Sequence, residues 1–133
     1  MTAPNGGSNS KEKQMSKLDP VKVEDRRVAN IYTADFVPLL SDGVENGAVL
    51  QLNASKPLGR GFHIYRMAAG ETTVGHEHLS DEEFVMIEGD IVDHDGAVYG
   101  PGDVVWLRQG TRHSSYSPNG CLIAVYLDGD VEV

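Results

Sequence analysis

From about Val28 onward, the chain alternates between short apolar runs and clusters of turn residues. Strands of this length, recurring roughly every 8–12 residues, are typical of an all-β sandwich or barrel. Between the first two runs, Asp35–Leu40 has room for one turn of helix, because Pro38 and Gly43 prevent a longer one. The runs that we interpret as strands are Val28–Tyr32, Ala48–Leu52, Phe62–Met67, Phe84–Glu88, Asp103–Leu107 and Leu122–Leu127.

Turn residues indicate where the strands end. Breaks are expected at Ser41–Gly43, at Glu45–Gly47 and at Gly100–Gly102, where Gly, Asn, Asp and Pro cluster. The Glu88-Gly89-Asp90 turn and the Asp93–Gly96 turn are both expected to close antiparallel hairpins.

The segment Glu82–Glu88 predicts which side chains share a face of the sheet. Since side chains alternate along a strand, Glu82, Phe84 and Met86 point to one side, and Glu83 with Val85 points to the other. Both faces are partly apolar. We therefore expect one face to line a barrel interior and the other to pack against a second layer.

The first 27 residues differ from the rest in composition. They contain Gly, Ser, Asn, Lys and Pro and little that could be buried. We therefore divide the chain into a disordered, flexible tail (residues 1–27) and one β-barrel domain (residues 28–133). A total of 133 residues suits a single domain.

Charge and composition exclude several classes of partner. The net charge of −9 argues against binding nucleic acid or an anionic membrane surface, both of which require clustered Lys and Arg. The chain has no apolar run long enough to span a bilayer, and the N-terminus lacks the apolar stretch of a secretory signal. Since Cys121 is the single cysteine, no internal disulfide can form, and we expect a cytoplasmic protein.

Histidines provide the main candidate chemistry. In His76-Glu77-His78, the two imidazoles of an extended segment point the same way, and Glu82 begins the next predicted strand. The alternation favours Glu82 over its neighbour Glu83 as the carboxylate on that side. With His113, the set suits one divalent transition metal, with Fe(II) or Zn favoured over Mn, Ni and Cu. Three or four protein ligands leave coordination positions open, as in catalytic sites.

Two motifs resemble those of the cupin superfamily. The stretch Gly70-x5-His76-x-His78-x3-Glu82-x6-Gly89 matches the first cupin motif, and Gly102-x5-Arg108-x-Gly110-x2-His113-x3-Ser117 resembles the second. Arg108 and Ser117 stand where the family usually has Pro and Asn. The resemblance implies a double-stranded β-helix, or jelly-roll barrel, with one metal held by the residues that match the family's ligands: His76, His78, Glu82 and His113.

A narrower resemblance is to the ChrR type of cupin domain. It is carried by Glu82–Val85 with Glu88-Gly89, by Asp93 with Gly96, by Gly110 with His113-Ser114, and by Gly120-Cys121. Relatives of this type include dioxygenases that cleave small diketones. Residues 1–27 contain no Cys or His to replace the N-terminal zinc-binding domain of an anti-sigma factor, so we do not expect an anti-sigma role.

The remaining candidates have structural alternatives. His63 either lines the pocket or is a surface or hydrogen-bonded histidine, His94 is expected in a solvated turn, and Cys121 is expected in the core. Arg108 and Arg112 flank the second motif, where they would steer an anionic substrate or simply be solvated. The substrate pocket is predicted to include Tyr65, Phe84, Met86 and Trp106.

Together these features predict a metal-binding cupin with dioxygenase-type activity on a small carbonyl or diketone-like substrate. Two alternatives stay open: a metal-dependent isomerase or lyase without redox chemistry, and a non-catalytic, sensor-like binding domain. We also predict a homodimer, in which the apolar run Val28–Tyr32 would pair across subunits.

Overall fold

The computed structural model describes residues 8–15 and 17–132. Almost all of its regular structure is β, which confirms the predicted all-β class. Within the described residues, no helix is long and apolar enough to span a membrane. The elements are helix α1 (Ser8–Met15), a 3-10 turn (Val23–Asp25) and strands β1 (Val37–Ser41), β2 (Val44–Leu50), β3 (Gly61–Met67), β4 (Glu71–Thr72), β5 (His76–His78), β6 (Glu82–Gly89), β7 (Ile91–Asp93), β8 (Val98–Tyr99), β9 (Val104–Leu107), β10 (Arg112–His113), β11 (Ser115–Ser117), β12 (Cys121–Leu127) and β13 (Val131–Glu132).

The strands form antiparallel sheets that enclose one core. The largest sheet has the order β1-β2-β3-β12-β6-β9, and the smaller ones are β4-β11-β7-β8 and β10-β5-β13. Phe84, Met86, Ile123 and Val125 of the large sheet pack with Ile91 of the four-stranded sheet. The inward face of β6 carries Phe84 and Met86, as the alternation predicted, because opposite faces of a strand receive alternate side chains.

The predicted strand at Val28–Tyr32 is wrong, and so is the helical turn at Asp35–Leu40. The Asn30 side chain accepts a hydrogen bond from the Tyr32 amide at 2.8 Å, and the Asn30 carbonyl accepts one from Ala34 at 2.8 Å, so this segment forms a turn. The first strand is β1, which pairs with β2 across Asp42-Gly43, both at positive φ. The expected dimer therefore has no strand at Val28–Tyr32 through which to pair.

Two predicted turns have a different role in the structure. Asn46 and Gly47 lie inside β2, where the register with β1 shifts, and the Tyr65 ring packs so close to Gly47 that a Cβ there would lie 2.4 Å from it. Glu88-Gly89-Asp90 does not close a hairpin, because β6 and β7 belong to different sheets. The Asp93–Gly96 hairpin between β7 and β8 is confirmed.

The N-terminal segment lies outside the core. The described side chains of α1 and all residues from 17 to 30 are exposed. Arg27 donates a hydrogen bond to the Leu52 carbonyl at 3.2 Å, which connects this segment to the barrel. Residues 1–7 and residue 16 of the predicted tail lie outside the described residues, and the division between residues 1–27 and 28–133 stays a prediction.

Candidate metal centre

The histidines of the two motifs meet on neighbouring short strands. His76 and His78 lie on β5, the central strand of the three-stranded sheet, and both face the barrel interior because they are two residues apart. In the antiparallel register of β5 and β10, His113 lies directly opposite His76. Strand pairing therefore brings together residues that are distant in sequence.

The three imidazoles have the spacing of a metal site. One ligand nitrogen from each lies within 4.8 Å of the others, and the ring centroids are 4.6–4.9 Å apart. The Nε2 atoms of His78 and His113 approach to 2.8 Å. The nearest Glu82 oxygen lies 3.4 Å from Nε2 of His78 and 3.9 Å from Nε2 of His113. All four residues predicted as ligands thus come together, with Glu82 beside two of the rings.

Glu82 reaches the cluster because the segment before it bends back. The Leu79 amide donates to the Asp130 carbonyl, and the Ser80 hydroxyl accepts a hydrogen bond from the Gly129 amide. Glu82 then enters β6 with its side chain 14% exposed, whereas Glu83 faces solvent. The structure thus places Glu82, and not Glu83, on the side of the histidines.

Hydrogen bonds at Nδ1 leave the opposite nitrogen free on two of the rings. His76 Nδ1 donates to the Val74 carbonyl at 2.6 Å, and His113 Nδ1 donates to the Asp93 carboxylate at 3.3 Å. In the neutral form, each ring then has a lone pair at Nε2, the atom that ligates metals. The close approach of these nitrogens and the Glu82 carboxylate requires a proton or a metal cation between them, and three imidazoles with one carboxylate are a donor set that fits a divalent metal.

Asp93 contacts the histidine cluster, whereas the sequence analysis placed it only in a turn and in the ChrR-type motif. It is 6% exposed and also accepts hydrogen bonds from Ser115 Oγ and from the Tyr99 hydroxyl. These contacts hold the carboxylate against His113. A signal was present in the Asp93-x-x-Gly96 motif, but β-turns use Asp so often that the motif alone does not indicate a buried role.

Burial dominates the electrostatics of the cluster. It lowers the pKa of His78 to about 4, with further lowering by the charges of His76, His113 and Arg60. Burial also raises the pKa of Glu82 to about 7. For His113, burial lowers the pKa, but the hydrogen bond and charge of Asp93 outweigh it, and the net pKa is raised.

A cavity of about 250 Å³ opens beside the imidazoles. Its wall is mainly apolar, and it includes Tyr65 and Phe84 of the predicted pocket. The ionisable side chains that line it include Arg60, His63, His76, His78, Glu82 and His113.

Two residues of the predicted pocket, Trp106 and Met86, do not line the cavity. Trp106 pairs with the exposed Glu83 and shares its outward face, so it is 53% exposed and donates its indole N–H to Asp81. Met86 is 1% exposed in the core and does not line the cavity.

The flanking arginines of the second motif lie away from the cavity. The Arg108 guanidinium lies over the Trp106 ring, and Arg112 pairs with Glu77 at the surface. His94 is exposed in its turn and Cys121 is buried, as predicted.

Arg60 lines the cavity, although the sequence analysis did not single it out. It follows Leu58-Gly59, a segment without a recognisable motif. His63, for which two interpretations were open, is 5% exposed and lines the cavity.

Comparison with solved structures finds the same fold in proteins of different activities. An acetylacetone dioxygenase from Acinetobacter johnsonii matches with 14% identity over 86% of this chain and 83% of that one, at a TM-score of 0.59. The polyketide cyclase RemF from Streptomyces resistomycificus matches with 16% identity over 80% and 84%, at 0.63. Rhodobacter sphaeroides SigE in complex with the anti-sigma ChrR matches with 19% identity over 96% and 69%, at 0.58. These likenesses confirm the predicted jelly-roll barrel.

The family is identified by comparing the sequence with models of protein families. No curated protein matches the chain. The model of the ChrR cupin-like domain matches residues 24–129, which is most of the chain and includes every residue of the histidine cluster. The chain therefore belongs to the ChrR cupin-like domain family.

Proposed function

We propose that this protein is a mononuclear metal-dependent enzyme that acts on a small carbonyl compound, with oxygenative cleavage of a diketone-like substrate as its reaction. The observation that carries the proposal is a cluster of three imidazoles at the wall of a mainly apolar cavity, in which one ligand nitrogen of each ring lies within 4.8 Å of the others. A metal with open positions beside such a cavity is the arrangement of a catalytic site.

His76, His78 and His113 would hold the metal, with Glu82 as the fourth ligand. When bound, a divalent metal supplies Lewis acidity, and iron supplies in addition the redox chemistry that dioxygen requires. Zn is the other favoured metal, with Mn, Ni and Cu as alternatives, because imidazole and carboxylate ligands suit all of them.

The surrounding residues orient the ligands and exclude water. Asp93 holds the Nδ1 proton of His113, which keeps Nε2 directed at the cluster. Phe84, Ile123 and Leu127 form part of the apolar wall, so a bound carbonyl compound would be shielded from bulk solvent on that side.

Two alternatives share the same metal site. A reaction without redox chemistry, such as an isomerisation or a lyase reaction, is compatible with a fold that a polyketide cyclase also adopts. A non-catalytic, sensor-like domain is compatible with the family match, which is to the cupin-like domain of ChrR. The predicted homodimer, the cytoplasmic location and the absence of nucleic-acid binding stay predictions.

The first experiment is metal analysis of protein purified without a histidine tag. We expect about one divalent metal per chain, its loss in His76→Ala and in His113→Ala, and its retention in the control His94→Ala, since His94 lies in an exposed turn. Retention of metal in a His76→Ala, His78→Ala double variant would contradict the site.

Oxygen uptake then separates the functions. The Fe(II)-loaded protein is expected to consume oxygen with acetylacetone or a related diketone, and His94→Ala is expected to do the same. If no diketone supports uptake with Fe, Mn, Ni or Cu bound, the dioxygenase proposal is wrong. Conversion of substrate without oxygen would then favour the isomerase or lyase, and binding without conversion would favour the sensor-like domain.

A further inference from the structure

Among the described residues that line the cavity, Arg60 is the one Lys or Arg side chain. Its side chain is only 19% exposed, although most of the surrounding wall is apolar. Burying a guanidinium is costly unless its N–H groups and its charge find partners. The contacts of Arg60 therefore determine how far its charge and its N–H groups are satisfied within the protein.

The hydrogen bonds of Arg60 satisfy part of its donor capacity. Nε donates to the Asp130 carboxylate at 3.1 Å, and Nη1 donates to the Gly59 carbonyl at 3.0 Å. Nη2 has no hydrogen-bond partner among the described residues. Asp130 is 78% exposed, so much of its charge is hydrated by solvent and only partly offsets the guanidinium. The two contacts fix the position of Arg60 and leave N–H donors for a ligand.

His63 adds a second polar group to the cavity wall. Its Nδ1 donates to the Gly61 carbonyl at 3.0 Å, which leaves Nε2 as a hydrogen-bond acceptor in the neutral ring. Burial is the main cause of its lowered pKa, and the charge of Arg60 lowers that pKa further. Both residues line the same cavity, where Arg60 offers cationic N–H donors and the neutral His63 ring offers an acceptor nitrogen.

We propose that the cavity selects small carbonyl compounds that carry a carboxylate, with the carbonyl end at the histidine cluster and the carboxylate on Arg60. This inference rests on the proposed function and specifies its substrate class. A planar guanidinium with free N–H donors matches a carboxylate in shape and charge. The cavity of about 250 Å³ corresponds to about eight waters, at roughly 30 Å³ each. This volume suits a small substrate.

The test compares two ligands that differ in one charge. The probes are 4,6-dioxoheptanoate and its methyl ester, which share the same pair of ketones and do not lose CO2, because neither ketone is β to the carboxyl group. Their dissociation constants for the metal-loaded protein are measured by calorimetry, and the metal content of every variant is measured in parallel. For the wild type, we expect the acid to bind about tenfold more tightly than the ester, as one charge-assisted contact allows.

Substitution of Arg60 is expected to abolish this preference. In Arg60→Gln the acid and the ester should bind with nearly equal affinity, because the acid loses its partner and the ester loses little. Arg108→Gln is the matched control, since Arg108 lies over the Trp106 ring outside the cavity, and it should keep the tenfold preference. If Arg60→Gln does not fold, Arg60→Lys retains the charge without the planar fork and should show a reduced preference for the acid.

The outcomes separate this inference from the proposed function. Equal affinity of the wild type for the acid and the ester would overturn the substrate class and leave metal-dependent carbonyl binding intact. A full preference that survives Arg60→Gln or Arg60→Lys would also overturn it. If neither probe binds to protein shown to contain metal, the proposed function fails, and the substrate class fails with it.

Discussion

Asp93 offers the sharpest test of how the metal site is built. Its carboxylate is buried and accepts hydrogen bonds from His113 Nδ1 at 3.3 Å, from the Tyr99 hydroxyl at 3.2 Å and from Ser115 Oγ. In Asp93→Asn the side chain keeps its size but loses its charge. Its amide NH2 group replaces one carboxylate oxygen, so one of the three donors loses its acceptor. We predict that this change weakens metal binding while leaving the barrel folded.

The magnitude follows from the contact with His113. Replacing the partner of a metal-ligating histidine typically costs 10- to 100-fold in metal affinity, or about 1.4–2.8 kcal/mol. Charge-assisted hydrogen bonds are usually about 2.7–2.9 Å long, so a separation of 3.3 Å lies beyond this range and indicates a weak contact. We therefore expect a loss of about tenfold.

Competition with a chromophoric chelator measures this loss with Zn(II) or Co(II). Asp90→Asn is the matched control, because the Asp90 carboxylate also accepts several hydrogen bonds, but from Asn119 and Ser117 instead of a histidine. Its metal affinity should stay within about twofold of the wild type. The reasoning is refuted if Asp93→Asn binds metal as tightly as the wild type does, or if Asp90→Asn weakens binding equally.

Three further predictions concern the ligand shell, a close backbone contact and pH. Glu82→Gln keeps an oxygen but loses the charge, so we expect about tenfold weaker metal binding in the same competition assay, with an unchanged circular dichroism spectrum. Gly89→Ala should lower the free energy of unfolding, measured with denaturant, by about 2–5 kcal/mol, because the φ of Gly89 is +82° and a Cβ would lie 1.9 Å from the Gly120 carbonyl oxygen. The control Gly96→Ala, also at positive φ but in open space, should lower it by about 1–2 kcal/mol. Burial lowers the pKa of His63, so the unfolded chain binds a proton near pH 6.5 that the folded chain does not, and stability falls as the pH drops below that value. With chelator present, the free energy of unfolding of His63→Gln should fall less steeply than that of the wild type between pH 6.5 and 5.5, by up to about 1.4 kcal/mol per pH unit; equal slopes would contradict this prediction.

The β-strands could be predicted where the pattern of apolar residues and turns is regular. The predicted run Phe62–Met67 corresponds to β3, and Leu122–Leu127 corresponds to β12, because both are long and end at glycines or polar turns. Val28–Tyr32 has the same local composition but no partner strand, and the side chain of Asn30 forms a turn instead. Pairing is a tertiary property, so local composition could not distinguish the two cases.

His76, His78 and Glu82 could be predicted because alternation and motif spacing concern neighbours in the chain, and His113 could be predicted from the resemblance of the second motif to that of cupins. Arg60 and Asp93 could not, since their roles depend on which strands face one another across the barrel. Trp106 was misplaced for the same reason: its outward face follows from its pairing with Glu83, and the sequence does not give that register. Side chains whose contacts come from distant strands are therefore the ones that require the structure.

The charges inside the cavity support a monoanionic substrate. Glu82 and Asp93 supply two carboxylates at the histidine cluster, and together they offset the charge of one divalent metal. Arg60 is then the remaining positive charge on the cavity wall, and the exposed Asp130 offsets it only in part. Because uncompensated charge is costly in a mainly apolar environment, a ligand with one negative charge is the species that best neutralises the loaded site.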